Sequence, residues 1–350
     1  MSRRKDGAVI VVYPVVPGLF EALKEALPDA DIRNALRETS EITGDASEEL
    51  FRKITASELS VMQEADILVL FSYTLLQVIH DLPKLKWVQI INTGPDHIRS
   101  NLRKDKPTPS YVITRNISKK IGRLMTEHVI GQVICHERSW HLLRENQLQR
   151  KYNQGKEVAL YRNLSELTVG LLGLGPMALE MAASFKHFGS RVHGFSKRPK
   201  GPTDRSPLVD KFWHGDQLPS LLGEIDYIVA VLPSTPETKG LLGKDILKHA
   251  KKSPVLINVG RGDLISEGDL IKALDVGWIS YAILDVFEKE PLPVESALWT
   301  HPKVVITPHL ACYGTAENRV ASTVECFCRN YPRYLEGKPL IGSFSWEAGY

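Results

Sequence analysis

The sequence predicts an α/β protein of two domains, each a parallel sheet wound with helices on both faces. Three observations carry this expectation. Short β-branched runs alternate with helical patterns along most of the chain, which is the pattern of parallel sheets. One run ends in a glycine-rich turn that opens directly into a helix. The length of 350 residues suits about two domains at roughly 150 residues each.

Ala8–Val12 reads as a buried strand, and Pro17–Leu27 as a helix with Leu19, Leu23 and Leu27 at helical spacing. Arg37–Leu59 is polar and charged with few apolar anchors, so it reads as a surface excursion with room for one helix. Ile67–Phe71, Trp87–Ile91 and Tyr111–Thr114 are strands. Lys119–Leu143 is one long helical pattern, with Ile121, Met125, Val129 and Val133 as apolar positions, and Gln147–Arg162 is polar and loop-like. The alternation then becomes regular. Strands are expected at Thr168–Leu172, Arg191–Phe195, Tyr227–Leu232, Val255–Val259, Ala282–Leu284 and Val304–Thr307, with a final helix over Gly314–Leu335. No repeat of solenoid period is present.

Composition excludes several classes. Lys+Arg 44 against Asp+Glu 41 leaves +3, and charged residues at 24% with hydrophobic ones at 43% match soluble usage. Disorder, collagen and coiled coil are thereby excluded as overall descriptions. The pI of 8.5 comes without the concentrated basic stripe of a nucleic-acid binder, so no nucleic-acid partner is expected. Ile67–Ile79 is the nearest approach to a membrane span, but Ser72, Tyr73 and Thr74 divide it, so no membrane partner is expected. Met1–Lys5 is basic, yet the apolar run after it is short and broken by Pro14 and Pro17. It reads as a first strand rather than a signal peptide. The last residues carry no address, and the cytoplasm is the expected location. Cys135, Cys312, Cys326 and Cys328 form no C-x-x-C and no zinc spacing. They are expected to be reduced thiols, with no metal.

The segment Thr168–Ala178 is the most informative. A strand ends at Leu172, Gly173-Leu174-Gly175-Pro176-Met177-Ala178 gives G-x-G-x-x-A, and a helix opens at Pro176. Gly173 permits the tight turn and Gly175 lets backbone approach a pyrophosphate. Ala178 keeps helix close to strand, and the helix N-terminus offers free N–H groups. This is a Rossmann-like dinucleotide turn in the context it requires. An NAD-binding chain usually ends the next strand in Asp or Glu, to accept the ribose 2′-OH. Here Ser196 stands in that place, followed by Lys197 and Arg198. A donor and two cations fit a 2′-phosphate, so NADP(H) is favoured as cofactor, with NAD(H) possible.

Three more segments place ionisable groups at strand ends, where open α/β sheets bind ligands. These are Asn258–Leu264 with Arg261, Leu284–Pro293 with Glu290, and Ile306–Ala311 with His309. Their chemistry is complementary. Reducing a 2-oxo acid needs a hydride donor, a proton donor and a cation for the carboxylate. His309 can give the proton, Glu290 can raise its pKa and orient its ring, and Arg261 can hold the carboxylate and polarise the ketone. Each residue taken singly also has an ordinary structural reading, as a surface cation, a loop acid or a satisfied loop histidine.

Together the three segments resemble the D-isomer-specific 2-hydroxyacid dehydrogenase family. Asn258–Leu264 looks like its arginine motif, Asp285–Pro293 like its "DVFxxEPLP" motif, and Thr307–Ala311 like its "TPHxA" motif. The resemblance implies that Arg261 orients substrate, that Glu290 rather than Glu288 partners the histidine, and that His309 is the acid/base. It implies cofactor contacts at Gly173, Gly175, Pro176, Met177, Ser196, Lys197, Arg198, Leu232, Pro233, Thr238, Val259, Gly260 and Asp285. Leu232–Thr238 resembles the stretch beneath the cofactor. Asn92–Ile98 is similar to the loop whose amides hold the substrate carboxylate, which gives that role to Thr93 and Gly94, and Tyr73 is implied in setting substrate size. Thr126-Glu127-His128-Val129 resembles the start of the interdomain and dimer helix.

The resemblance further implies two Rossmann-like or flavodoxin-like doubly wound domains with a cleft between them. Residues 1–110 would be the substrate domain, 111–311 the dinucleotide-binding domain, and 312–350 a helix and tail returning to the first. The basic ending after Phe195 and the closing Ala348-Gly349-Tyr350 are similar to the NADPH-preferring glyoxylate and hydroxypyruvate reductases. Arg37–Leu59 has no alignable counterpart, and Tyr161 stands where many relatives have Trp. The expectation is an NADPH-dependent reductase of a short 2-oxo acid, acting as a homodimer. The alternatives are a reductase of larger 2-oxo acids and a dinucleotide-sensing, corepressor-like protein.

Overall fold

The computed structural model describes residues 7–13, 16–36, 52–103, 105–199, 201, 203, 205–347 and 349. The expectations for Met1–Lys5, for the 37–51 part of the excursion and for Ala348 and Tyr350 lie outside the described residues. The chain divides into two units, Met1–Ile121 with Gly314–Tyr350, and Gly122–Tyr313. The first division falls inside the helix Lys119–Glu137, past the 110/111 boundary read from the sequence, and the second follows Tyr313 rather than Ala311.

The first unit is a five-stranded parallel sheet ordered β2-β1-β3-β4-β5. Its strands are β1 (Ile10–Val12), β2 (Ile32–Asn34), β3 (Ile67–Leu70), β4 (Trp87–Ile90) and β5 (Val112–Thr114). This is the flavodoxin-like order, with its switch point between β1 and β3. β1, β3 and β4 are buried throughout, as continuous apolar runs in a doubly covered sheet should be. The final helix, Ala316–Leu335, packs on this sheet. Its Phe327 stacks on Trp87 with ring centroids 4.9 Å apart, and its Ser322 hydroxyl accepts from the Asn116 amide at 2.9 Å.

The second unit is a seven-stranded parallel sheet ordered β12-β11-β10-β9-β6-β7-β8. Its strands are β6 (Thr168–Leu172), β7 (Arg191–Ser196), β8 (Lys211–His214), β9 (Tyr227–Ala230), β10 (Val255–Asn258), β11 (Tyr281–Leu284) and β12 (Val304–Ile306). The order reverses at β6, between β7 and β9, which is the Rossmann arrangement.

Two strands, β2 and β8, were not expected from the sequence. Both are sheet edges, short and only partly buried, so they lack the apolar run that marks a central strand. The long helix also differs from expectation. It stops at Glu137, Ser139 turns left-handed at φ 51, and a second helix runs from Trp140 to Leu148. Apolar periodicity continues across Ser139 and hides the break. Lys156–Ala159 adds one helical turn within the stretch read as loop.

Candidate active site

The glycine turn sits at the switch point of the second sheet. Gly173 adopts φ +103, a conformation L side chains avoid, and a Cβ there would press on the Val231 carbonyl at 3.2 Å. Gly175 caps the helix Pro176–His187 with no side-chain hydrogen bond, and a Cβ there would meet nothing within 4 Å. The N-terminus of this helix thus has no side-chain cap at its positive dipole end. These residues fit the pyrophosphate of a dinucleotide. Met177 has its side chain buried in the unit, so only its backbone is left to approach a ligand.

Arg261 is placed by backbone crowding on both sides. A Cβ on Gly260 would lie 2.7 Å from the Leu232 carbonyl oxygen, and one on Gly262 would collide with the Phe287 carbonyl and the Glu288 amide. The loop after β10 is thus pressed between the loops after β9 and β11. Asn258 ties it from below, donating to the Arg261 carbonyl at 2.9 Å and accepting from the Gly260 amide at 3.1 Å. The Arg261 guanidinium donates to the Gly260 carbonyl at 2.7 Å. Its charge acts at Glu290, His309 and Cys312.

His309 and Glu290 meet directly, with Nδ1 and Oε2 2.7 Å apart. The other Glu290 oxygen accepts from the Phe287 amide at 3.0 Å. The hydrogen bond to Glu290 raises the His309 pKa above its usual value, and burial only partly opposes it. Burial works against the Glu290 charge, but the bonds from His309 and Phe287 outweigh it and hold the carboxyl below its usual range. With Nδ1 engaged, Nε2 is the nitrogen available for proton transfer. The His309 side chain is 48% exposed. Its backbone is left-handed at φ 57, a conformation uncommon for non-glycine residues and frequent at functional sites.

Asp285 enforces that conformation. It is buried, and its carboxylate accepts from the Thr307 hydroxyl at 2.6 Å and from the Leu310 and Ala311 amides at 2.8 and 2.9 Å. Its carbonyl accepts from the His309 amide at 2.8 Å. Its carboxylate thus shapes the histidine loop, a role the motif alone did not reveal. His128, read from the sequence only as part of a helix, also belongs to this neighbourhood. Burial pushes its imidazole down while Asp285 opposes the shift, and its Nε2 is buried without a hydrogen-bond partner. Burial pushes the Cys312 thiol up, with Asp285 adding to it, which makes it a poor thiolate at neutral pH.

At the end of β7, Ser196 donates to the Arg198 carbonyl at 2.7 Å. The Lys197 ammonium pairs with Glu237 at 2.8 Å. Lys197 and the Thr235 hydroxyl hold the Glu237 carboxyl down at about 2. The loop after β9 is braced internally. Thr238 donates to the Pro233 carbonyl at 2.6 Å and accepts from the Thr235 amide at 2.8 Å, so its hydroxyl is committed to the loop. Val259 and Gly260 are buried.

In the first unit, Tyr73, Thr93 and Gly94 lie at the carboxyl ends of β3 and β4. Asn92 joins these loops, accepting from the Ser72 amide at 3.0 Å and hydroxyl at 2.9 Å and donating to the Gly94 carbonyl at 3.1 Å. Tyr73 stacks on His97 with centroids 4.0 Å apart.

Two doubly wound sheets, one with a dinucleotide turn and an arginine–glutamate–histidine set on its strand ends, define a nicotinamide-dependent oxidoreductase class. The model of the D-isomer specific 2-hydroxyacid dehydrogenase NAD-binding domain matches residues 130–311, more than half of the chain. A family protein from Aeromonas salmonicida is 30% identical, with a TM-score of 0.77 over 97% of this chain and 99% of that one. A D-isomer specific 2-hydroxyacid dehydrogenase from Xanthobacter autotrophicus, solved with NADPH, is 29% identical at a TM-score of 0.76, covering 98% and 99%. The NADPH-dependent glyoxylate/hydroxypyruvate reductase from Sinorhizobium meliloti, solved with NADP, is 25% identical at a TM-score of 0.75, covering 98% and 100%. The chain belongs to the D-isomer specific 2-hydroxyacid dehydrogenase family and is an NAD(P)-dependent oxidoreductase. Among the described residues, no helix is long and apolar enough to cross a membrane.

Proposed function

We propose that the protein reduces a short 2-oxo acid, glyoxylate or hydroxypyruvate, to the D-2-hydroxy acid with NADPH. The His309–Glu290 hydrogen bond of 2.7 Å beside Arg261 carries the reductase reading. The Sinorhizobium reductase supports the substrate class, and Ser196-Lys197-Arg198 supports NADPH. When bound, the reduced nicotinamide supplies hydride to the carbonyl carbon. His309 gives its Nε2 proton to the carbonyl oxygen as that oxygen gains negative charge. Glu290 keeps the imidazole protonated and turned, and Arg261 pairs with the substrate carboxylate and polarises the ketone. The substrate roles of Tyr73, Thr93 and Gly94 and the cytoplasmic location belong to the same proposal. So does a homodimer built around the helical stretch after Lys119, where Trp140 and Leu143 are 53% and 38% exposed.

A panel of 2-oxo acids assayed with NADPH and NADH, followed by the loss of reduced-cofactor absorbance, tests the reading. Fastest turnover of glyoxylate or hydroxypyruvate with NADPH supports it; preference for branched or aromatic acids overturns the substrate. Lys197→Ala with Arg198→Ala should raise KM for NADPH far more than for NADH, and equal effects overturn the cofactor preference. Sedimentation at micromolar concentration tests the dimer.

A further inference from the structure

Two loops from strands that do not pair with each other meet at the carboxyl edge of the second sheet. Lys197 follows β7, Glu237 lies on the loop after β9, and β6 stands between them. Adjacent strands are about 4.8 Å apart, so β7 and β9 are separated by roughly twice that. The 2.8 Å contact between the Lys197 ammonium and the Glu237 carboxylate bridges this span on the carboxyl side of the sheet, the side on which β6 enters the Gly173-Leu174-Gly175 turn. The carboxylate is held there by its loop. Thr235 and Thr238, on either side of Glu237, are hydrogen-bonded to each other, and the Thr238 hydroxyl donates to the Pro233 carbonyl. An exposed Lys–Glu pair adds little to stability, and these side chains are 62% and 51% exposed, so the fold does not depend on the bridge.

This chain lacks an acid at the end of β7, yet the fold returns one to the neighbourhood from β9. A 2′-phosphate and a carboxylate seek the same ammonium and repel each other. We propose that Glu237 is a selectivity-determining residue for the cofactor: it holds Lys197 and thereby weakens binding of a 2′-phosphorylated dinucleotide relative to its 2′-hydroxyl counterpart. The inference rests on the NADPH reading above, in which Lys197 and Arg198 receive the phosphate.

Isothermal titration of the protein with NADPH, NADH and adenosine 2′,5′-bisphosphate tests it. Glu237→Gln should tighten NADPH and the bisphosphate about fivefold at low salt and leave NADH within about twofold, the size expected for one charge removed near a dianion in water. The gain should shrink at high salt and be smaller when Lys197→Ala is added, because only the direct repulsion of the phosphate by Glu237 then remains. Unchanged or weaker NADPH binding in Glu237→Gln, or equal tightening of NADPH and NADH, overturns the role of Glu237. If Lys197→Ala with Arg198→Ala weakens NADPH selectively in the same series, the NADPH reading survives that failure. If the double substitution weakens both cofactors equally, the NADPH reading itself falls and the inference falls with it.

Discussion

In the first sheet the Asp66 carboxylate accepts from the Val9 amide at 3.0 Å and the Lys86 ammonium at 2.7 Å. In the second, Asp226 accepts from the Thr168 amide at 2.8 Å and the Lys252 ammonium at 3.4 Å. The backbone agrees: Asp66 donates to the Val9 carbonyl and Asp226 to the Thr168 carbonyl. Each aspartate opens the strand beyond the switch point, in Glu64-Ala65-Asp66-Ile67 and Glu224-Ile225-Asp226-Tyr227. The amino ends of the two sheets are thus stapled by one device. Their carboxyl ends differ in the side chains they carry. Both lead through a positive-φ glycine, Gly173 and Gly18, into a helix with a glycine N-cap and no side-chain cap, of 12 residues after β6 and 8 after β1. Only the second sheet carries the Arg261, Glu290 and His309 loops. The comparison separates what makes a doubly wound sheet from what makes a site on it.

That separation can be broken experimentally, beginning at the carboxyl ends. His309→Gln should lower kcat about 10³-fold, the usual scale for a general acid, while NADPH affinity by titration stays within twofold, roughly; near-normal turnover would remove the acid role. Gly262→Ala forces the Phe287 carbonyl and the Arg261 loop apart. It should cost about 2–3 kcal/mol by urea unfolding and also reduce turnover.

Glu290→Gln addresses pH. With Glu290 present, His309 stays protonated above its usual pKa, so reduction should hold level on the acid side and fall as pH rises through that elevated value. Loss of the carboxylate should move this falling limb to lower pH, and an unmoved limb would sever the pair. The smallest effects belong to the amino ends. Asp66→Asn and Asp226→Asn should each cost about 1–2 kcal/mol of stability with intact kcat. Asp226→Asn should also loosen Arg162, whose guanidinium donates to the Asp226 carboxylate at 3.3 Å. A fall in kcat from either would mean that the two ends are not independent.

The central strands were legible because burial on both faces demands continuous apolar runs. β2 and β8 were not, because an edge strand such as Lys211–His214 pairs on one side and keeps polar residues. The break at Ser139 left no mark in the apolar pattern. Arg261, Glu290 and His309 were legible as motif positions, and the structure places Glu290, not Glu288, against the histidine. Asp285, Asn258 and Glu237 were not assigned these roles. Their work is set by which loops approach one another across the sheet, and local spacing does not encode that. Tyr161, noted as a departure, has the Arg138 guanidinium 3.7 Å over its ring, which gives the smaller aromatic a cationic cover.

The crowding around Arg261 has an evolutionary consequence. Its position is fixed by main chain against main chain, at Gly260 with Leu232 and at Gly262 with Phe287. Side chains behind β10 and β11 can therefore drift in size without carrying the guanidinium with them. Lineages would then be free to rewrite the core while the arginine loop keeps its backbone, so that substrate preference changes at the rim and the reaction itself does not.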